Sequence, residues 1–332
     1  MRDHESKHPT REQCRIQVPR RVMDFEFDID HQSTLPSEIE RSIFEMVASS
    51  SYESIPAMRL VAWRVNEWVE PFFYCGLWVD YDCDYAKPGW SPDALTADIV
   101  RRPNFYRDNV KSVWLGIDKV EQHAAAQFLL AACSNIETLE ICRGYPTSMK
   151  NLLDHVLALG GTLKRLHVDM KDLSSKYGKF QNAELNNLFD KFGSITHLEL
   201  KDVSLPFEIC SRLERLPRLT HLALTYDLRM RGTLTSLYTI FQTCKKLVVC
   251  VGLQEVRRSA KDSDLGSGYQ AMDYPHYVDN NNPRFVLVRY VHKGWDDPKA
   301  WLKNARENEV PGYWPCAEAM VAQRLALLNQ SG

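Results

Sequence analysis

The sequence has no CxxC or CxxH pair, no apolar run approaching bilayer length, and no excess of either charge. Each absence excludes something. With 41 basic and 43 acidic residues and a net charge of -2, no global basic field exists to hold nucleic acid or an anionic membrane. No stretch is long and apolar enough to read as a spanning helix. The opening segment, MRDHESKHPTREQCR, has charge with no apolar segment behind it, so it does not read as a secretory signal. The nine cysteines (Cys14, Cys75, Cys83, Cys133, Cys142, Cys210, Cys244, Cys250, Cys316) are odd in number, and several sit inside apolar runs. That pattern predicts buried, reduced thiols in a cytoplasmic or nuclear protein, not a disulfide or zinc framework. GxSxG and Walker signatures are also missing, and no enzymatic chemistry, cofactor or metal is expected.

What is present is an ordinary globular composition, 44% hydrophobic and 25% charged over 332 residues, enough for one large domain or two smaller ones. Residues 1–30 are polar and without periodicity, which predicts a disordered arm. Residues 31–79 read as a small helical domain. Pro36 suits a first helical position, Glu38 and Glu40 suit the positive end of the helix dipole, and Ile39, Ile43 and Val47 recur every four residues with Phe44 beside them. A second helix is expected from Ser54, with Met58, Val61, Val65, Trp68 and Val69 on one face, ending at Glu70-Pro71. Residues 80–109 are rich in Asp, Pro and Tyr and read as a loosely packed linker.

From residue 110 a template recurs: apolar-x-x-apolar-x-apolar. It occurs as VKSVWL at 110, IETLEI at 136, LKRLHV at 163, ITHLEL at 195 and LTHLAL at 219, with a degenerate LVVCVG at 247. Helical patterns fill the intervals, among them Leu152, Val156 and Leu157, then Leu185, Leu188, Phe189 and Phe192, then Ile209, Leu213 and Leu216, then Leu234, Leu237, Ile240 and Phe241. Self-similarity at this period predicts an α/β leucine-rich-repeat solenoid over 110–292, each unit a strand, a loop and a helix. The competing reading is a doubly wound α/β sheet, against which stands the lack of a Gly-rich phosphate loop after the first strand. Residues 257–283 read as a flexible insertion. Residues 293–332 read as a helical cap over the end of the array, with Ala317, Met320, Val321, Leu325 and Leu328 inward.

Period-2 alternation assigns the faces. Template positions one, four and six point to the core. Positions three and five, and the residue after the template, point to the opposite face: Ser112 and Trp114; Thr138 and Glu140; Arg165, His167 and Asp169; His197, Glu199 and Lys201; His221 and Thr225. Mixed charges, imidazoles and a tryptophan suit recognition of a protein surface. The alternative is a merely solvated face. His197 and His221, at one position of consecutive units, are close enough to share a metal in principle, but a polar ladder is the simpler reading.

The stretch LPSEIERSIFEMVASSSYESIPAMRLVAWRVNEWVEPFFY resembles an F-box. Leu35, Pro36, Glu38, Ile39, Ile43 and Phe44 match its first helix, Leu60 and Val61 the start of its second, and Pro71 its exit. Ala62 departs where cysteine is common and Val65 where Trp or Phe is usual; Trp63 and Trp68 flank them. Together with WLKNARENEVPGYWPCAEAMVAQR near the end, the chain is similar to a large set of F-box-like repeat proteins of mushroom-forming fungi. The resemblance implies a non-catalytic substrate adaptor of a ubiquitin ligase. Such a protein hangs from a Skp-type linker and a cullin scaffold through the box and takes a protein substrate on the repeats. It acts by effective concentration and orientation rather than covalent chemistry. The departures keep a second reading open, a repeat scaffold or inhibitor with no ligase link.

Overall fold

The computed structural model describes residues 35–80, 92–117, 122–142, 148–169, 189–201, 210–225, 232–256, 269–272, 282–291, 301–302, 305 and 312–331. The arm at 1–30 and most of the 257–283 insertion lie outside them. The chain divides into two compact units, Met1–Glu40 and Arg41–Gly332. In the first, the amides of Ile39 and Glu40 both donate to the Pro36 carbonyl at 3.0 Å, opening helix α1 (Ser37–Ser50).

In the second unit, Phe44 and Ala48 of α1 join a small core with Ile55 and Met58 of α2 (Ile55–Met58) and Val65 and Val69 of α3 (Trp63–Tyr74). The single helix expected over 54–70 is broken. The chain turns at 59–62, which puts Val61 in solvent rather than on the buried face. The expected stop at Pro71 is overridden as well, because α3 runs through it. An interior proline costs a helix about 3 kcal/mol. Aromatic packing offsets that cost: Phe73 stacks on Tyr52 at 5.6 Å, and Tyr74 meets Phe105 and Tyr106 edge-on at 5.3 and 5.5 Å.

Tyr74 is also the first residue of an unanticipated template string, YCGLWV, which forms β1 (Gly76–Asp80). The region expected as a linker carries two helices, α4 (Pro92–Arg101) and α5 (Pro103–Asn109). Leu95, Ile99 and Tyr106 from them are buried in the main core. Their amphipathic signal is short, and prolines that read as linker residues stand at the helix starts, where proline is favoured. Arg102 pins this region to α3, its Nη1 lying 2.8 Å from Glu70 Oε1.

The remaining strands are β2 (Ser112–Gly116), β3 (Thr138–Cys142), β4 (Arg165–Asp169), β5 (His197–Lys201), β6 (His221–Thr225), β7 (Val249–Val256), β8 (Tyr269–Met272) and β9 (Phe285–Val291). They form one sheet of order β1-β2-β3-β4-β5-β6-β7-β9-β8. Eight strands are parallel, and β8 pairs antiparallel with β9. The parallel order runs without reversal, so the described strands contain no switch point of the doubly wound kind. One device repeats at every junction from β1 to β7. Two successive amides converge on one carbonyl of the preceding unit: 111 and 112 on Cys75, 137 and 138 on Lys111, 164 and 165 on Glu137, 196 and 197 on Lys164, 220 and 221 on Thr196, 248 and 249 on Thr220. Each unit thereby templates the entry of the next strand.

The template positions assigned to the core are there. Val113 and Leu115, Leu139 and Ile141, Leu166 and Val168, Leu198 and Leu200, and Leu222 and Leu224 form one buried cluster with residues of α4, α5, α6 (His123–Ala132), α7 (Ser148–Ala158) and α8 (Gly232–Thr243). Phe189, Phe192, Leu213 and Leu216 join it as the helical spacing predicted; Leu185, Leu188 and Ile209 lie outside the described residues. β8 falls within the segment expected to be a flexible insertion and covers the last parallel edge.

The tail departs most from expectation. Helix α9 (Tyr313–Ser331) lies on the second face of the sheet. Tyr313, Trp314, Ala317 and Val321 pack against Ala223, Val249, Val251, Val286 and Val288. Leu325 and Leu328, expected inward, are exposed. No helix among the described residues is long and apolar enough to cross a membrane.

Candidate functional site

Parallel pairing in strict register stacks equivalent template positions into rows. The position-five row runs Trp78, Trp114, Glu140, His167, Glu199, Ala223 and Val251. The position-three row runs Gly76, Ser112, Thr138, Arg165, His197, His221 and Val249. Both project away from the helical layer, as the alternation predicts.

The tail covers most of this face. Trp114 is only 1% exposed and stacks on Trp78 at 3.7 Å, with its ring over Gly116, where a Cβ would lie 2.7 Å from the indole. Trp301 meets Trp78 edge-on at 5.8 Å. Glu140, His167 and Glu199 are buried at 8%, 7% and 6% exposure. Ser112 is buried too, while Thr138, Arg165, His197, Lys201, His221 and Thr225 are half-buried. The Asp169 side chain lies outside the described residues. In this conformation the position-five row is therefore interior, and among the described residues of this face the half-buried ones offer contact to a macromolecule.

The buried polar residues form a connected cluster. His167 Nδ1 lies 3.2 Å from Glu199 Oε2 and 3.8 Å from Glu140 Oε1. Cys142 Sγ is 3.4 Å from Glu140 Oε1. The tail supplies the outer partners: Trp301 Nε1 donates to Glu140 Oε2 at 2.7 Å, and the Tyr313 hydroxyl donates to Glu199 Oε2. Burial by itself works against an imidazolium here. The carboxylates of Glu199 and Glu140 outweigh it and hold the His167 pKa well above its ordinary value. Burial raises Glu140, and repulsion from Glu199 adds to this. Burial and the nearby Glu140 push the Cys142 thiol up to about 11. The residue types match a nucleophile, base and orienting acid, but the electrostatics do not. The thiol is held protonated and the imidazole already has its proton, so neither is poised for nucleophilic attack.

His197 and His221 stack face to face at 4.1 Å, with Trp314 edge-on to both at 5.5 and 5.3 Å. Thr196 and Thr220 hydroxyls hold their Nδ1 atoms at 2.9 and 2.8 Å, and His221 Nε2 meets Glu318 at 2.8 Å. Burial, with His221 and Arg165 adding, lowers His197 to about 3. Parallel rings, with both Nδ1 atoms and His221 Nε2 already hydrogen-bonded, make a ladder under the tail, not a chelating pair.

The segment resembling an F-box presents the opposite character. Ile43, Met46, Val47, Leu60, Val61 and Trp63 of the second unit are exposed, Leu60 at 87% and Trp63 at 76%. Phe44 is half-buried, its ring 6.5 Å from Trp68. In the first unit Leu35, Pro36, Glu38 and Ile39 are exposed.

Sequence reasoning missed Trp78, Cys142, Trp301 and Tyr313 as members of the second face. Trp78 carried a signal, since it stands at position five of the unanticipated YCGLWV. Cys142 did too, standing after its template as Asp169 and Lys201 do. The tail aromatics carried none, because an apolar stripe does not say which surface it covers.

No protein-family model matches the chain, and no curated protein matches it either.

Proposed function

We propose that this chain is a non-catalytic, leucine-rich-repeat substrate adaptor of a Skp–cullin–F-box type ubiquitin ligase. Its F-box-like helices would bind the linker and the repeat face a protein substrate. The observation that carries the reading is the contrast along α1 and its neighbours. Phe44 and Ala48 turn inward, while Ile43, Met46, Val47, Leu60, Val61 and Trp63 remain exposed. Large apolar side chains grouped on one short segment of a soluble fold mark a surface that a partner covers. Substrate contact belongs to the half-buried residues of this face, with Arg165 and Lys201 as the candidates. Strand and helix alternation in sequential order supports the solenoid assignment, since each unit buries its apolar positions only against its neighbours.

Binding to a Skp-type linker tests this directly. Each buried aliphatic is worth about 1.5–3 kcal/mol, so Ile43→Ala with Leu60→Ala should weaken the complex by roughly a hundredfold or more. Undiminished linker binding by the folded double variant refutes the docking surface. A wild-type chain that binds no linker favours the second reading, an interaction scaffold or inhibitor. The departures at Ala62 and at Val65, which is spent in the small core, favour it specifically.

A further inference from the structure

We infer that Glu140, Cys142 and His167 form a binding site for a divalent transition-metal ion of the zinc class, with Glu199 as the adjacent carboxylate. The site is independent of any ligase role.

The first support is metric. Glu140, Cys142 and His167 offer ligand atoms that all lie within 4.8 Å of one another. Zinc holds nitrogen and oxygen at about 2.0–2.2 Å and sulfur at about 2.3 Å, so tetrahedral ligands stand about 3.3–3.8 Å apart. Cys142 Sγ lies 3.4 Å from Glu140 Oε1, and His167 Nδ1 lies 3.8 Å from Glu140 Oε1 and 3.2 Å from Glu199 Oε2. Glu140, Cys142 and His167 therefore stand close enough together to share one ion, with Glu199 beside His167.

The second support is the surround. Ligating carboxylates are ordinarily oriented by outer hydrogen-bond donors. Here Trp301 Nε1 holds the second oxygen of Glu140 at 2.7 Å, leaving Oε1 turned to Cys142 and His167, and Tyr313 donates to Glu199. The ligands project from neighbouring parallel strands in fixed register, Glu140 opposite His167 and His167 opposite Glu199. Rigid strands hold such a constellation more closely than loops do.

The third is charge. Two carboxylates share a buried site with a single imidazole, an arrangement that burial penalises unless the negative charge is met. A divalent ion meets it, with Cys142 binding as the thiolate. A mixed sulfur, nitrogen and oxygen set selects a borderline ion such as zinc or cobalt over magnesium or calcium.

The test uses the full-length chain, stripped with chelator and dialysed against zinc or cobalt(II). The expected results are about one ion per folded chain by elemental analysis and, with cobalt, a thiolate-to-metal charge-transfer absorption. Cys142→Ser should abolish that absorption and His167→Gln should weaken uptake at least tenfold, while Cys316→Ser leaves both unchanged. Zinc should raise the melting temperature of the wild type and not of Cys142→Ser, whose near-isosteric change preserves the fold by circular dichroism. A wild-type chain that is folded and takes up neither ion overturns the proposal. So does a charge-transfer band that survives Cys142→Ser.

Discussion

Trp314→Ala should destabilise the whole chain, although Trp314 lies near the start of the C-terminal helix. Its indole is 2% exposed and meets the stacked His197–His221 pair edge-on. Truncating a fully packed tryptophan costs about 3–5 kcal/mol, from lost burial and from the cavity left behind. That is a large share of the roughly 5–15 kcal/mol by which folded domains exceed their unfolded states. Tyr313→Phe isolates the polar part. It removes only the hydroxyl that donates to Glu199, and hydrogen bonds to charged groups contribute about 1.5–3 kcal/mol. Leu325→Ala on the same helix is the control, since its exposed side chain should cost within about 0.5 kcal/mol. Urea denaturation followed by circular dichroism would rank the three, and hydrogen exchange would report lost protection in β5 and β6 for the first two. The reasoning fails if Leu325→Ala costs as much as Trp314→Ala, or if Trp314→Ala unfolds at the parent midpoint. Either result would place the helix elsewhere than on the central strands.

Gly160→Ala should be strongly destabilising, because a Cβ there would stand 2.3 Å from the Lys191 carbonyl oxygen, where adjacent repeats abut. Backbone must move to admit it, and a loss above about 2 kcal/mol in urea melts is expected, against near-neutral Gly161→Ala, where the space is open. Acid stability should carry the signature of Asp98. Burial alone would raise its pKa, but hydrogen bonds from Arg102, Tyr106 and Arg101 outweigh burial and hold it at about 2. A folded pKa below the unfolded one gives stability that is complete above about pH 4 and lost as pH falls through 2, amounting to about 2 kcal/mol. Asp98→Asn should flatten that limb of a stability–pH curve; an unchanged slope between pH 4 and 2 refutes the assignment. Arg165→Ala should leave the melting curve within about 0.5 kcal/mol while reducing capture of a protein substrate, since arginines concentrate interface energy. Substrate capture undisturbed by Arg165→Ala would remove the half-buried row from the recognition surface.

The sequence by itself determined strands β2 to β6 and the face that each of their side chains takes. A six-residue template with period-2 alternation leaves one arrangement that buries Val113, Leu139, Leu166, Leu198 and Leu222 together, since a one-residue slip would turn all of them outward. Short helices behind prolines, as in α4 and α5, were illegible because their pattern spans too few turns and their punctuation reads as loop. Pro71 misled for a related reason, since a local rule for ending helices yields to a cluster of aromatic contacts made far away in sequence. What only the tertiary structure decided is the fate of the second face. The same alternation that aims Trp114, Glu140, His167 and Glu199 away from the main core says nothing about what lies beyond them. A helix more than a hundred residues later supplies the answer. Hydrophobic burial is non-directional, so an amphipathic tail is free to settle on any apolar surface that complements it. Here Val249, Val251, Val286 and Val288 provide that surface, and Tyr313 and Trp301 bring the hydrogen bonds that the buried carboxylates require.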